Sequence, residues 1–517
     1  MNTDFDIAIV GSGFSGSLMA MIMRRLGRSV VLLERGRHPR FVIGESSTPL
    51  ANLLIEEIAA KYDLPRLRSL SKWGAWQREF PKIACGLKRG FTFLHHSLDQ
   101  PFQHCAGHRD QLLVAASPNN EVSDTHWYRP DFDHHLVREA QALGAGYLDE
   151  TKLSAVTFDA DGARLAGQRL GKEVSLRAKF VIDATGPRGC LHHLLGLPEK
   201  APPHLPPTQA LFTHFSDVRR WDSLHASTNG TPPYPLDDAA LHHVFDGGWI
   251  WMLRFNNGIT SAGVACTDDC AARLGLAEGA PAWDRLLARL PSVREQFAGA
   301  RPLLPFMRIP RVCFRGAAFA GPRWALLPSA AGFIDPLLSS GFPLTLLGIT
   351  RLAGILVDAW EQPELEARLA EYGRVIDQEL DVTERLVAAL YASMRNFEVF
   401  VPLTLLYFAA ASYSETVRRL GHPEKARGFL LNRDPQFGPG LRAACELVPP
   451  ALQSPAALSR LQELILATIA PFDVAGLAKP NPANWYPVDL KDLFAAAPKL
   501  GVGRAEIQAM LVRSGLA

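Results

Sequence analysis

The first residues whose types and spacing could do chemistry lie near the N-terminus. Gly11, Gly13 and Gly16 form a Gly-x-Gly-x-x-Gly run that also contains Phe14 and Ser15. In such a run the first glycine permits a tight turn, the second lets the backbone approach a pyrophosphate, and the third lets the helix pack against the strand. The N-terminus of the following helix then faces the anion. The run therefore predicts the phosphate cradle of a dinucleotide.

The residues around the run place it in a βαβ unit. An apolar strand pattern covers residues 5–10, a helical pattern covers 15–26, and a second strand pattern covers 29–33 and ends at Glu34. An acidic residue at this position accepts hydrogen bonds from ribose hydroxyls. We expect Glu34, together with the adjacent Arg35, to contact the cofactor.

Two later turns could complete the cofactor site. Asp183 and Gly186 form an Asp-x-x-Gly turn after a strand, and a small-residue turn ahead of a helix contains Ser340 and Gly341. Backbone N–H groups at a helix start suit an anion or an electron-rich ring edge.

The order of these three motifs resembles the FAD-dependent monooxygenase superfamily. The resemblance implies FAD as the cofactor and adds Ser329 and Phe342 to its contacts. The late motif of the superfamily usually carries Gly-Asp where this chain has Pro328-Ser329, so one carboxylate contact to the flavin side chain is missing.

Four short segments narrow the resemblance to the flavin-dependent halogenases of the tryptophan-halogenase-like group. They are Gly44-Glu45-Ser46-Ser47-Thr48-Pro49, Lys88 to Phe93, Gly248-Trp249-Ile250-Trp251, and Asp335-Pro336-Leu337-Leu338-Ser339-Ser340-Gly341. The resemblance places Gly44, Glu45 and Ser46 at the cofactor.

The resemblance implies a reaction of reduced FAD, O₂ and a halide. A flavin hydroperoxide would oxidise a halide held by the N–H groups of Ser340 and Gly341. A lysine would deliver the resulting hypohalous acid to a phenol, pyrrole or indole. Lys88 is the expected lysine, oriented by Ser339, because a buried lysine with a depressed pKa offers a neutral amine near neutral pH. Lys82 is the alternative, and Lys88 could also be an exposed cation at a strand start.

Other candidate residues concern the substrate. Trp249 and Trp251 point the same way on a strand, either as core aromatics or as a wall between flavin and substrate. One of His95 and His96 is expected to face the cavity of Lys88, with a packed or surface histidine as the alternative to a catalytic base. Leu338 replaces the glutamate that grips the ammonium of free tryptophan, which argues against that substrate. Arg254 replaces a signature proline and favours the alternative of a hydroxylase or reductase of the same fold without halide chemistry.

The βαβ unit and the resemblance predict an α/β fold class, and 517 residues exceed one ordinary domain, so two or three packed units are expected. We expect a discontinuous Rossmann-like FAD-binding domain (1–205 and 305–365), sheet-rich substrate segments (80–125 and 205–305) and a helical C-terminal region (366–517). Residues 86–96 are predicted as one strand. Asp131 is predicted to cap a helix that runs to Leu143.

Composition restricts the partners and the compartment. A net charge of +2 argues against nucleic acid as the main partner. Seven cysteines without a Cys-x-x-Cys pair favour a reduced, cytoplasmic protein and predict no metal site. The apolar stretch at 399–411 is short of the ~20 residues that span a bilayer. It indicates a buried helix or an entry surface for a greasy substrate or carrier, and we expect no transmembrane segment.

No second dinucleotide fingerprint occurs in the sequence. The resemblance therefore implies that a separate flavin reductase supplies reduced FAD. The expected substrate is aromatic, either free or tethered to a carrier protein. A non-catalytic flavoprotein that binds a carrier through its C-terminal helices is a further alternative.

Overall fold

The computed structural model describes residues 4–105, 107–225, 230–479 and 483–516 of the chain. Its strands are β1 (Asp4–Val10), β2 (Val30–Leu33), β3 (Cys85–Lys88), β4 (Gly90–His95), β5 (Gln111–Ala115), β6 (Asp124–Trp127), β7 (Gly146–Leu148), β8 (Thr151–Asp159), β9 (Gly162–Arg169), β10 (Lys172–Asp183), β11 (Thr208–Ser216), β12 (Ala240–Phe245), β13 (Gly248–Arg254), β14 (Thr260–Thr267), β15 (Arg301–Pro302), β16 (Met307–Ile309), β17 (Phe314–Arg315), β18 (Ala320–Gly321), β19 (Trp324–Leu326), β20 (Gly332–Phe333) and β21 (Trp485–Tyr486).

The α-helices of the same residues also follow in chain order. They are α1 (Phe14–Arg25), α2 (Pro49–Lys61), α3 (Pro65–Arg68), α4 (Trp73–Glu79), α5 (Arg129–Ala142), α6 (Cys190–Leu194), α7 (Trp221–Leu224), α8 (Asp268–Leu274), α9 (Ala280–Arg289), α10 (Pro291–Gln296), α11 (Pro328–Ala331), α12 (Gly341–Asp358), α13 (Leu365–Ser393), α14 (Phe397–Arg419), α15 (Phe437–Glu446), α16 (Val448–Ala451), α17 (Pro455–Ile469), α18 (Leu490–Ala495), α19 (Ala497–Leu500) and α20 (Arg504–Ser514).

The first sheet is built on parallel strands. β1 lies between β2 and β10, with β7 beyond β2 and β19 beyond β10, all in parallel register. The β2 residues and most of β1 are buried, as expected for strands covered by helices on both faces. Helix α1 packs against α5 and α12. The predicted α/β class and the βαβ unit are confirmed.

The second sheet runs β15-β11-β14-β13-β12-β4-β5-β21, with β16 also pairing with β11. Side chains on one face join the main core, where Phe93 packs on Phe400 of α14. Side chains on the other face join a separate core, where Phe215 packs on Trp283 of α9. Strand β21 pairs with β5, so the C-terminal region, predicted as helical, also contributes a strand.

Residues 86–96 form two strands rather than the single strand predicted. β3 pairs with β6 and places Lys88 opposite Asp124, whereas β4 pairs with β5 and β12. Gly90 allows the change of sheet because a Cβ there would overlap the Val114 carbonyl oxygen. Lys88 and Phe93 consequently lie in different sheets.

One helix start also differs from the expectation. Helix α5 begins at Arg129, with Pro130 in its first turn, and Asp131 lies inside that turn rather than at the cap. Proline fits there because its fixed φ suits a helix and its missing N–H would be unpaired in any case.

Helices α12 and α14 are long and apolar enough to cross a membrane by length and composition. However, 61% of the apolar window in α12 and 78% of that in α14 are buried inside the fold. α14 packs against α2, α13 and α17. Burial of this kind is that of core helices, which matches the buried helix expected at residues 399–411.

A buried ion pair attaches α13 to the rest of the fold. Glu384, which is fully buried, accepts hydrogen bonds from Arg315 Nη1 (3.1 Å) and from the backbone N–H of His204 (2.7 Å). We expect Glu384→Ala to lower the free energy of unfolding by about 3 kcal/mol, because it leaves a buried charge and buried amides without an acceptor. Arg315 retains its ion pair with Asp377 (2.8 Å) in this variant. The expected loss of stability therefore lies at the low end of the range for a broken buried ion pair. Chemical denaturation of this variant beside exposed Glu361→Ala measures it, and equal stability of the two would contradict the assignment.

Candidate active site

The glycine run forms a tight, open turn between β1 and α1. Gly11 has φ +97°, and a Cβ there would lie 2.7 Å from the Ala184 carbonyl oxygen. A Cβ on Gly16 would overlap the Gly11 carbonyl oxygen, whereas one on Gly13 would meet side-chain atoms at 3.5 Å or more. The N–H groups of Gly13 and Phe14 donate to no acceptor among the described residues. They are available to an anion.

Glu34 lies at the end of β2, beside this turn. Its carboxylate accepts hydrogen bonds from Ser12 N (3.1 Å) and Gly36 N (2.9 Å), and Arg40 lies 3.4 Å away. Burial alone would raise the pKa of Glu34, but Arg40 and these N–H groups together hold it below its ordinary value. The carboxylate is therefore a charged acceptor at the expected place, whereas the adjacent Arg35 is exposed.

Arg129 connects the glycine turn to the segment 44–48. It forms a two-point ion pair with Asp133 (2.7 and 2.8 Å) and donates from Nη1 to the Gly44 carbonyl oxygen at 2.7 Å. Its guanidinium carbon lies 5.2 Å from the centre of the Phe14 ring. A fixed cation beside Gly13 and Gly44 suits a phosphate or an electron-rich ring.

Asp183 organises the second turn from within. Its buried carboxylate accepts from Thr185 N (2.9 Å) and from Leu191 N (2.6 Å), and burial raises its pKa. Gly186 has φ +85°. Both of these hydrogen bonds hold the turn against Gly11, so Asp183 supports the predicted cofactor site by positioning the backbone.

The third turn leads into α12. The N–H groups of Ser340 and Gly341 donate to no acceptor within the described residues, so they remain available to an anion. Ser339 has φ +51°, and Leu338 is 1% exposed in the core. Nearby, the hydroxyl of Ser329 is buried without a hydrogen-bond partner.

Phe342 closes an aromatic contact between these turns. Its ring lies 5.0 Å from that of Phe14 and 4.1 Å from that of Trp127, centre to centre. Trp127 belongs to β6, the partner strand of Lys88. The cofactor turns and the lysine are therefore joined through one packed cluster.

Lys88 is fully buried. Its Nζ donates to Ser46 Oγ (2.8 Å) and to the Ser47 carbonyl oxygen (2.5 Å), and it lies 3.8 Å from the centre of the Phe91 ring. Burial lowers the pKa of Lys88 to about 7, although the nearby Asp124 carboxylate opposes the shift. The alternative of an exposed cation is wrong for Lys88 and holds for Lys82, which is exposed.

The hydroxyl that contacts Lys88 is that of Ser46 and not that of Ser339, as the sequence analysis expected. The segment 44–48 runs beside β6, with Ser47 N bonded to the Thr125 carbonyl oxygen (3.1 Å) and Trp127 N to that of Glu45 (2.6 Å). Gly44 therefore lies at Arg129, while Ser46 and Ser47 lie at Lys88. Sequence spacing could not reveal this, because β3, β6 and the segment are distant in the chain.

Glu45 turns away from Lys88 in this segment. Its Oε1 lies 2.8 Å from His214 Nε2, and both side chains are buried. His214 belongs to β11, so the pair fastens the segment to the second sheet. Glu45 was predicted at the cofactor, and the contact that the structure shows is with His214.

A cavity of about 180 Å³ lies beyond the residues that surround Lys88. Its wall includes Asn52, Phe91, Val114, Asp124, Tyr407 and Phe408. Phe91 lines this cavity and also contacts the Lys88 amine, so one ring connects the amine to a space of ring size.

Trp249 and Trp251 lie in β13 and face the main core. Trp249 Nε1 donates to Tyr391 Oη (3.2 Å), whose hydroxyl donates to Asp335 Oδ2 (2.9 Å). Burial raises the pKa of Asp335 to about 7. This chain of bonds ties the second sheet to the turn before α12. Trp251 Nε1 donates to Ser261 (3.2 Å).

His95 shares the face of Phe91 and Phe93 but lies beyond the cavity. Its Nε2 is 3.0 Å from the Met394 carbonyl oxygen, and its ring stacks on that of Phe397. The histidine that the sequence analysis missed is His242, whose ring lies 4.4 Å from that of Phe93. Only the pairing of β4 with β12 brings it there.

Arg254 has a structural role at the end of β13. Its Nε lies 2.8 Å from the buried Asp237 carboxylate, and Nη1 donates to the Val218 carbonyl oxygen at 2.9 Å. These contacts give Arg254 a structural role at the position where the halogenase signature has proline. No group of three or more metal-ligating side chains occurs among the residues that the structure describes.

The site residues fit FAD. The open Cβ position of Gly13, the free N–H groups, the charged Glu34 and the unpaired Ser329 hydroxyl each offer a contact to such a cofactor. The contacts suit, in order, a pyrophosphate, a ribose and a polyhydroxyl chain.

Comparison with known proteins agrees with this geometry. The family model "FAD dependent oxidoreductase" matches residues 6–331. Monodechloroaminopyrrolnitrin halogenase PrnC of Pseudomonas fluorescens is 30% identical over 77% of this chain and 69% of its own length. Tetracycline 7-halogenase of Kitasatospora aureofaciens is 27% identical over 79% of this chain and 73% of its own. The structure of halogenase PltM in complex with phloroglucinol and FAD is 25% identical, covers 92% of this chain and 98% of that one, and has a TM-score of 0.81.

Gly13→Ala separates folding from cofactor binding. The added methyl group fits the protein, since its nearest neighbours are 3.5 Å away, but it occupies the path of the pyrophosphate. We expect an unchanged melting temperature without FAD and at least about tenfold weaker FAD binding, measured by flavin fluorescence titration. Gly16→Ala is the contrasting variant and should lose stability. FAD binding of parental strength in Gly13→Ala would contradict the assignment.

Proposed function

The chain belongs to the FAD-dependent oxidoreductases and, among them, to the flavin-dependent halogenases, and we propose that it halogenates an aromatic substrate through Lys88. The observation that carries this proposal is the buried Lys88 amine, held by Ser46 and Ser47 and in contact with Phe91, whose ring also lines a cavity of ring size. The cofactor is FAD. In its reduced form it supplies the reaction with O₂ that oxidises a halide to hypohalous acid.

The residues that would bind the halide and FAD are different from the residue that would transfer the halogen. The free N–H groups of Ser340 and Gly341 would hold the halide, as anions bind at helix N-termini. Arg129, Glu34 and the glycine turn would hold FAD. Lys88 belongs to neither group, which makes cofactor chemistry and halogen transfer separable by mutation.

The neutral amine of Lys88 would take the halogen from hypohalous acid. Its lone pair bonds the halogen, the halogen–oxygen bond breaks with its electron pair on oxygen, and one N–H proton completes water. The product is a haloamine on Lys88. Burial supports this step because it favours the neutral amine near neutral pH.

Lys88→Ala should leave FAD binding and O₂ uptake close to those of the parent. Halogenated product should fall by about 10²–10⁴-fold, the usual loss when a positioned catalytic group is removed. Lys88→Arg should not restore product, since a guanidinium stays protonated. Exposed Lys82→Ala is the matched control. O₂ uptake and product mass are measured side by side with reduced FAD and bromide, and undiminished product in Lys88→Ala would overturn the proposal.

The pH profile gives an independent test of the amine. Because the pKa of Lys88 is lowered to about 7, the neutral fraction increases as pH rises through that value. We expect product per O₂ consumed to rise between about pH 6 and about pH 8 in the parent. A flat ratio over this range would contradict a role for the neutral amine.

We also propose that a separate flavin reductase supplies reduced FAD and that the protein works in the cytoplasm. All seven cysteines are free thiols, which supports a reducing compartment. NADPH alone should bleach the bound flavin slowly in a stopped-flow experiment, and an added reductase should restore turnover. Fast bleaching without a reductase would favour the hydroxylase alternative. The turnover assay should be run with phenols, pyrroles and indoles, each offered both free and as a carrier-protein thioester.

A further inference from the structure

We propose that Asp124 is a catalytic base that binds and deprotonates the ring hydroxyl of a phenolic substrate in the cavity that Asp124 and Phe91 line. This inference rests on the proposed function, since it names the substrate class of the same site. It concerns a residue that neither the sequence motifs nor the cofactor contacts identify.

The first observation is an unpaired carboxylate oxygen. Asp124 is 5% exposed, its Oδ1 accepts from Asn52 Nδ2 at 2.8 Å, and its Oδ2 has no hydrogen-bond partner. Leaving a buried acceptor without a donor is unfavourable, and more so when the acceptor is charged. A ligand that brings a hydroxyl to Oδ2 removes this cost.

Lys88 does not provide the missing donor. Although the two residues are opposite each other in β3 and β6, Lys88 Nζ donates to Ser46 and Ser47 and is not in ion-pair contact with Asp124. The amine and the carboxylate thus remain two separate functional groups.

The second observation is the cavity that Asp124 lines. Its volume of about 180 Å³ exceeds the ~150 Å³ of an engineered cavity that binds benzene, which leaves room for ring substituents. Phe91, Val114 and Phe408 supply apolar wall, and Phe408 lies edge-on to Phe91 at 5.1 Å. Four other charged side chains of the wall, Glu56, Lys72, Glu415 and Arg419, pair with one another. The unpaired Oδ2 of Asp124 can therefore fix the orientation of a ring that carries a matching donor.

The chemistry of the carboxylate matches a phenol. Burial raises the pKa of Asp124 to about 7, against the opposing effect of Lys88. A stronger base than an ordinary carboxylate is better suited to a phenol, whose pKa is about 10. The N–H of a pyrrole or indole is far less acidic and would not be deprotonated by a carboxylate.

The proposed transfer balances as follows. Asp124 takes the hydroxyl proton, a ring carbon bonds the halogen, and the nitrogen–halogen electron pair returns to Lys88, which takes a proton from water. The hydroxide so formed removes the proton from the halogenated ring carbon. Asp124 returns its proton to the ring oxygen. The net change is replacement of a ring hydrogen by halogen and return of the Lys88 amine.

The test compares a phenol with its methyl ether. In the parent we expect kcat/KM for the phenol to exceed that for the ether by about 10²-fold or more, because the ether has no proton to give. Asp124→Asn should lower kcat/KM for the phenol toward that for the ether and leave FAD binding and O₂ uptake unchanged. Any effect of the lost charge on the Lys88 amine should change the phenol and the ether alike, so the phenol-to-ether ratio is the readout. Asp246→Asn, in the exposed turn after β12, is the matched control. Equal rates for phenol and ether in the parent, or a pyrrole preferred over the phenol, would overturn the inference.

Calorimetric titration of the oxidised holoenzyme separates this inference from the proposed function. The phenol should bind the parent about tenfold tighter than the ether, and Asp124→Asn should remove the difference. Tight phenol binding without any halogenated product would refute the halogenase activity and keep the assignment of Asp124. Halogenated product, together with binding and rates in Asp124→Asn equal to those of the parent, would refute the assignment of Asp124 and keep the halogenase activity. Thermal melting of both variants verifies their folding, and the parent comparison needs no variant.

Discussion

The burial of one amine determines how this site is built. Lys88 is fully buried, and taking an ammonium out of water is so costly that the neutral form becomes accessible near neutral pH. Ser46 and Ser47 accept its hydrogen bonds without adding a negative charge. If they were replaced by a carboxylate in contact with Nζ, the pKa would rise and the amine would stay protonated. The proposed reactivity of Lys88 depends on these neutral acceptors.

The segment 44–48 links this amine to the cofactor turns. One end receives Arg129, and the other end holds Lys88. Backbone pairing with β6 and the Glu45–His214 contact fix the segment between the two sheets. A displacement at the cofactor turn would therefore reach Lys88 through few bonds, whereas the chemistry at the two ends remains distinct.

The sequence predicted the parts of the site that are local in the chain. The glycine run, Glu34 and the turn before α12 each lie within a few residues of a strand or helix end, so their roles follow from short patterns. Lys88 was identified by resemblance and not by its surroundings. Ser46, His242 and Asp124 come together only through the pairing of β3 with β6 and of β4 with β12, and this pairing depends on a change of sheet at Gly90. The alternating sequence pattern predicted residues 86–96 as one strand, because the residues of β3 and of β4 are mostly buried and follow the same pattern.

The most direct test of the central claim is the mass of the protein after turnover without an aromatic substrate. With reduced FAD, O₂ and bromide, the account predicts that one hydrogen is replaced by bromine in the parent and none in Lys88→Ala. Phenol added afterwards should remove this bromine from the protein and be converted to bromophenol. A parent protein that consumes O₂ but carries no bromine, or whose bromine is not passed to phenol, would contradict the account.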